Sequence, residues 1–243
     1  AMLVMEDFTQ IESAKRFEIE ASKAKLISLI AKRFAHEIRN SLVPLATHEQ
    51  LLESEYQNDD FRRSLKTALS RETTRIQRFT EQMLFLAQPP RTANETANLR
   101  DLVESCFHNV CGAVAPAGRL ELTCDSDLPL VRCHRSALEH ALQEIITNAL
   151  QANTVEAVVT THIGPANGAM LRITVRDSGP GFTTESAASA TEPFFTTRNT
   201  GVGLGLTVAR KIIEDHHGKL FIHVRADSAD HDVEIQLPAL ETL

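Results

Sequence analysis

Between residues 13 and 53 the chain holds no glycine and a single proline, Pro44. A run of that length, rich in Ala, Lys, Glu and Leu, favours one long helix, because these residues lose little side-chain freedom in a helix. Pro44 removes an amide donor and frees the carbonyl of Asn40, so a bend is expected one turn after His36. Apolar residues at Ile27, Ile30, Phe34, Ile38, Leu42 and Leu45 recur at gaps of three and four, which predicts one buried stripe. Tyr56 to Asp60 is a polar break. A second helix is predicted from about residue 60 to 87, with Leu65, Leu69, Ile76, Phe79, Met83 and Leu86 on one face. Two such helices bury their stripes most economically as an αα-hairpin that pairs with a second copy into a four-helix bundle. A long hairpin packed on its own chain is the alternative.

Two prolines end that helix. The polar segment Gln88 to Asn98 that follows is the clearest boundary in the chain. Beyond it the pattern mixes helix and strand. Helices are predicted at 99–114, 135–152 and 203–217, and strands at 120–124, 155–163, 169–176, 219–225 and 231–237. Helices on one face of a sheet make an α/β sandwich. The expected organisation is therefore 1–12 as a short strand end, 13–87 as the helical hairpin, 88–98 as a linker and 99–243 as the α/β domain.

A net charge of −7 gives no footprint for nucleic acid, and the absence of tryptophan argues against base-stacking surfaces. No apolar run approaches the ~18 residues of a membrane span. Cys106, Cys111, Cys124 and Cys133 form no CxxC pair and read as free thiols. These features predict a cytoplasmic protein, or the cytoplasmic part of a longer one.

Several residues carry chemistry. His36 lies off the apolar stripe beside the acidic Glu37, with Asn40 one turn later. An exposed imidazole whose neighbour takes up a proton is a competent nucleophile. In the second domain Glu144 and Asn148 stand at i, i+4 on one predicted helix face. Two oxygen-bearing side chains so placed suit Mg²⁺ held together with phosphates and water, although a solvated polar pair reads the same. Asp177-Ser178-Gly179-Pro180-Gly181 follows a strand. It permits a tight turn around a carboxylate able to accept from an adenine amino group. Glu192-Pro193-Phe194-Phe195-Thr196-Thr197-Arg198 brings apolar bulk and a cation. Gly201-Val202-Gly203-Leu204-Gly205-Leu206 is expected to open a helix whose amides favour phosphate.

The order of these segments resembles the sensor histidine kinases. His36-Glu37-Ile38-Arg39-Asn40 is similar to their phospho-acceptor helix. The four later segments are similar to the N, G1, F and G2 boxes of their ATP-binding domain, a fold shared with gyrase, Hsp90 and MutL ATPases. The likeness covers residues 25 to 238, and the short lid before Gly203 resembles the nitrogen-regulation type. It implies a dimeric, ATP- and Mg²⁺-dependent kinase that phosphorylates His36 and passes the phosphoryl group to a response regulator receiver domain. It further implies catalytic roles for His36, Glu37 and Asn40. It assigns ATP binding to Glu144, Asn148, Asp177, Gly179, Gly181, Phe195, Thr197, Arg198, Gly201, Gly203, Leu204 and Gly205, with Asn148 and Glu144 on the metal. Leu3 to Thr9 resembles the end of a PAS sensor domain.

Two departures stand out. The family most often has Asn where Glu144 stands, and Glu there is nearer the gyrase-like ATPases. The family often has Pro directly after H-E-x-x-N, where this chain has Ser41. Two other readings compete, a gyrase- or Hsp90-like ATPase clamp and a catalytically silent dimeric scaffold.

Overall fold

The computed structural model describes residues 9–111, 118–152, 157–198, 201–224 and 231–240; within these, the side chains of 9–27, 29 and 231 are not described. The strand end expected at 1–12 falls largely on residues 1–8, outside the described residues, and from Thr9 the chain is helical. The chain divides into two compact units, Ala1–Thr80 and Glu81–Leu243.

The first unit is a helical hairpin. Helix α1 (Thr9–Glu55) runs through Pro44, and α2 (Asp59–Ala87) follows a short turn. Asn58 ends that turn because its side-chain oxygen accepts from the Asp60 amide at 3.0 Å, satisfying a donor that the first turn of a helix leaves unpaired. His48 ties the helices together. Its Nδ1–H donates to the Pro44 carbonyl at 2.8 Å, which leaves Nε2 to accept from Ser64 Oγ at 3.0 Å. The expected buried stripe on α1 is only partly buried. Phe34 stacks on Phe79 yet stays 42% exposed, and Leu42 is 51% exposed. Ile30, Ile38 and Leu45 are half-buried, while Ile27 lies outside the described side chains. Two helices cover one narrow seam of each other, so a wider apolar band remains on the surface, with Leu51, Leu52 and Leu69 also exposed.

In the second unit the sheet order is β2-β4-β5-β7-β6, from β2 (Arg119–Cys124), β4 (Val158–Pro165), β5 (Met170–Asp177), β6 (Lys219–Val224) and β7 (His231–Pro238). Among the described strands only β2 and β4 pair in parallel. Helices α3 (Leu99–Cys111), α4 (Arg135–Ala152) and α6 (Gly205–Asp215) pack on the sheet and on one another. Alternation along the strands sends Ile163, Ile173, Val175 and Ile235 inward. They meet Leu138, Leu142, Ile145, Ile146 and Leu150 of α4, a hydrophobic face buried almost without exposure. A small antiparallel ribbon, β1 (Glu95–Ala97) with β3 (Val131–Cys133), and the short helix α5 (Thr184–Ser189) were not legible in the sequence. Segment 88–98 thus contains a paired strand. The last helix begins at Gly205, not at Gly203, for a reason that lies in the glycine turn before it.

Buried His216 joins α6 to the start of α4. Its Nδ1 faces the Ile212 carbonyl at 2.7 Å, so Nδ1 carries the proton and Nε2 accepts from the His134 amide at 2.9 Å.

Because α4 is the element on which the core converges, Leu142→Ala should lower the unfolding free energy by about 2–5 kcal/mol, and a loss below about 1 kcal/mol in urea titration would contradict its central place.

Candidate functional site

At the C-terminal end of α4 three loops of the second unit come together. Gly179 sits so close to the helix that a Cβ there would stand 2.6 Å from the Ala152 Cβ and 2.8 Å from its carbonyl oxygen. The turn is fastened from within, the Gly179 amide donating to Asp177 Oδ1 at 2.8 Å. Gly181 follows at φ +67°, in the region glycine adopts without strain.

The Phe194–Arg198 segment arrives from the other side. Arg198 Nη2 donates to the Asn148 carbonyl at 2.8 Å, and its Nη1 to Gln151 Oε1 at 3.0 Å. A cation beside the last turns of a helix offsets the negative end of the dipole. Thr196 Oγ1 accepts from the Arg198 amide at 3.1 Å, while Thr197 is exposed and Phe195 half-buried.

The glycine-rich segment closes the arrangement. Phe194 donates its amide to the Gly203 carbonyl at 2.8 Å. Gly203 has φ +76°, and any side chain there would collide with the Phe195 carbonyl oxygen. That left-handed turn cannot be helical, so α6 starts two residues later, at Gly205. Leu204 is buried and its side chain makes no capping hydrogen bond to the first turn of α6. Asn148, Asp177, Gly179, Gly181, Phe195, Arg198, Gly201, Gly203 and Gly205 therefore belong to adjoining segments.

Glu144 departs from that group. It is 4% exposed and accepts from Gln82 Nε2 at 2.9 Å, with His140 Nε2 3.8 Å away. Phe85 stacks on the His140 ring at 4.2 Å, and the Arg91 guanidinium lies over Phe85. The side chain expected to share a metal with Asn148 is thus turned to the last turns of α2.

In the hairpin unit His36 is exposed and Asn40 half-buried, whereas Glu37 is buried. Arg75 Nη2 donates to Glu37 Oε2 at 2.6 Å. Adjacent residues on a helix do not face each other. The carboxylate expected to serve the imidazole points inward in this state.

Elsewhere the chemistry is sparse. Burial pushes the Cys106 thiol up to about 12, with the Glu139 charge adding to it, and burial also raises Cys133, so neither supplies a thiolate. Among the described residues there is no cluster of three or more His, Cys, Asp or Glu suited to a metal. Sequence reasoning missed Gln82, Gln151 and Arg75, for which no local motif exists. It also missed the positive φ of buried Phe194, +69°, an uncommon conformation for an aromatic residue.

A Gly203→Ala chain should lose ATP affinity by at least about tenfold, since an alanine at φ above zero costs about 1–2 kcal/mol before the clash is counted. Calorimetric titration with ATP checks this, and wild-type affinity would remove the glycine turn from the site.

Residues 133–241 match the family model described as histidine kinase-, DNA gyrase B- and HSP90-like ATPase. The sensor histidine kinase ZraS of Klebsiella oxytoca is 28% identical over 206 residues, covering 84% of this chain and 45% of that protein. The signal transduction histidine-protein kinase AtoS of Escherichia coli is 25% identical over 222 residues, 90% of this chain and 36% of AtoS. The chain thus spans less than half the length of these curated relatives. In fold it is similar to histidine kinase ThkA in the crystal structure of its complex with response regulator protein TrrA. The TM-score is 0.74 at 21% identity, over 98% of this chain and 68% of that one. No helix of the described residues is long and apolar enough to cross a membrane. Residues 133–241 are thus similar to histidine kinase-, DNA gyrase B- and HSP90-like ATPase domains, and the whole chain is similar to parts of sensor histidine kinases.

Proposed function

We propose that this chain is the catalytic and phospho-accepting part of a homodimeric protein-histidine kinase that labels its own His36 from ATP. The observation that carries the reading is exposed His36 on a helical hairpin in the same chain as the ATPase domain. A clamp-type ATPase has no use for such an imidazole, and Glu144, the residue nearest to that alternative, is buried against Gln82. The exposed band of Phe34, Leu42, Leu51, Leu52 and Leu69 supports a second copy completing a four-helix bundle.

In this reading Asp177 accepts from the adenine amino group. The glycine turns at 179, 181, 201 and 203 let the backbone approach the phosphates. The first turn of α6, from Gly205, presents its amides to them beside Leu204, Thr197 and Phe195. Asn148 stands on the α4 turn that meets these loops, so its side-chain oxygen would suit Mg²⁺ completed by phosphate and water oxygens. When bound there, Mg²⁺ would neutralise charge at the phosphates. Glu144 would have to leave Gln82 to join it, so we assign Glu144 to the contact with α2. Arg198 keeps a positive charge at the α4 terminus, near the γ-phosphate.

One ring nitrogen of His36 forms the bond to the γ-phosphorus. The bridging P–O bond breaks with its electron pair leaving on ADP, and Glu37 takes the proton from the other ring nitrogen. The phosphoryl group then passes to an aspartate of a response regulator receiver domain. Asn40, able only to donate or accept hydrogen bonds, suits holding a water against that aspartyl phosphate in the reverse, phosphatase direction.

Replacing His36 by Gln should abolish self-labelling from γ-labelled ATP while ATP affinity stays at the wild-type value. Label retained at another histidine would overturn the assignment of His36.

A further inference from the structure

Three charged side chains meet in the seam of the hairpin, the two carboxylates buried and the guanidinium half-buried. Glu37 and Glu72 are both buried, and Arg75 stands between them. Its Nη2 is 2.6 Å from Glu37 Oε2 and its Nη1 is 3.9 Å from Glu72 Oε2. Arg71 Nε donates to the other oxygen of Glu72 at 2.8 Å. Glu72 Oε2 and Arg75 Nε are buried without a hydrogen-bond partner among the described residues.

A buried ion pair with unsatisfied atoms is weak evidence for stability, because desolvation offsets most of the Coulomb gain. The arrangement does have two seats for one guanidinium. Arg75 occupies the seat on Glu37, and the open oxygen of Glu72 is the second. A move of Arg75 from Glu37 to Glu72 would free the carboxylate that follows exposed His36 in the chain.

We propose that Arg75 is a positioning residue that competes with His36 for the Glu37 carboxylate, holding back self-phosphorylation until it moves to Glu72. The inference rests on His36 being the phosphoryl acceptor. While Arg75 holds Glu37, the proton leaving the imidazole has no carboxylate to receive it as the N–P bond forms and the bridging P–O bond breaks toward ADP. Once Arg75 sits on Glu72, Glu37 is free to turn to the ring and take that proton.

The two partners of Arg75 therefore predict opposite signs. In the full chain, Arg75→Gln should raise the kcat of self-phosphorylation about threefold or more, with KM for ATP unchanged, because the inhibited population is lost. Arg75→Lys keeps a cation and should restore restraint. Glu72→Gln removes the second seat and should lower kcat by a similar factor. In a Glu37→Gln background neither substitution should have a further effect, since both act through Glu37. Equal changes in that background, or a lowered kcat in both single variants, would overturn the proposal. Should Arg75→Gln fail to fold, judged by its helix signal, Glu72→Gln decides alone: a fall in kcat with KM held supports the exchange, and an unchanged or raised kcat rejects it. A wild-type chain that binds ATP without labelling His36 rejects this inference together with the acceptor assignment, whereas a labelled wild type with an unmoved Arg75→Gln rejects this inference alone.

Discussion

Helix α4 is the constraint on which the second unit depends. Leu138, Leu142, Ile145, Ile146 and Leu150 are buried to within about one per cent, so the helix has no freedom to slide or rotate on the sheet. Everything polar on α4 is fixed by that packing. One turn places Glu144 against Gln82, and the next brings Asn148, Gln151 and Ala152 to the loops of the proposed nucleotide site. Gly179 abuts Ala152, and Arg198 caps the same turn, so the loops take their positions from the helix end. A shift of α4 by part of a turn would break all of these contacts together.

The hairpin unit follows a different logic. Its seam is part apolar, with Phe34 stacked on Phe79, and part ionic, with Glu37, Glu72 and Arg75 sharing one layer. Apolar side chains that the seam does not cover remain exposed, as expected of half of a bundle. Charge inside and hydrocarbon outside is a poor recipe for a lone hairpin. It suits the proposed pairing with a second copy.

Much of this was legible in the sequence, and the reasons for the rest are physical. Long periodic segments announced α1, α2, α3, α4 and most of the strands, because hydrophobic period survives without knowledge of partners. The turn at Gly179 and Gly181 was legible because glycine tolerates a left-handed backbone and a close approach, whereas Gly203, expected to start the last helix, takes a left-handed turn before it. The three-residue strands β1 and β3 have no period to detect, and their pairing is set by contacts far apart in sequence. The side-chain partners escaped for the same reason. Glu37 with Arg75 and Glu144 with Gln82 are 38 and 62 residues apart, and spacing along one helix cannot show which neighbour a carboxylate will choose.

The central claim is that the ATPase domain delivers its phosphoryl group to a nitrogen. Incubation with γ-labelled ATP, followed by parallel treatment of the labelled chain with acid and with base, tests it most directly. A phosphoramidate hydrolyses readily in acid once its nitrogen is protonated and survives base, so the account predicts label lost in acid and retained in base. Label stable to acid would place the phosphoryl group on a hydroxyl, and release of free phosphate with no protein-bound label would make the chain an ATPase alone; either result contradicts the account.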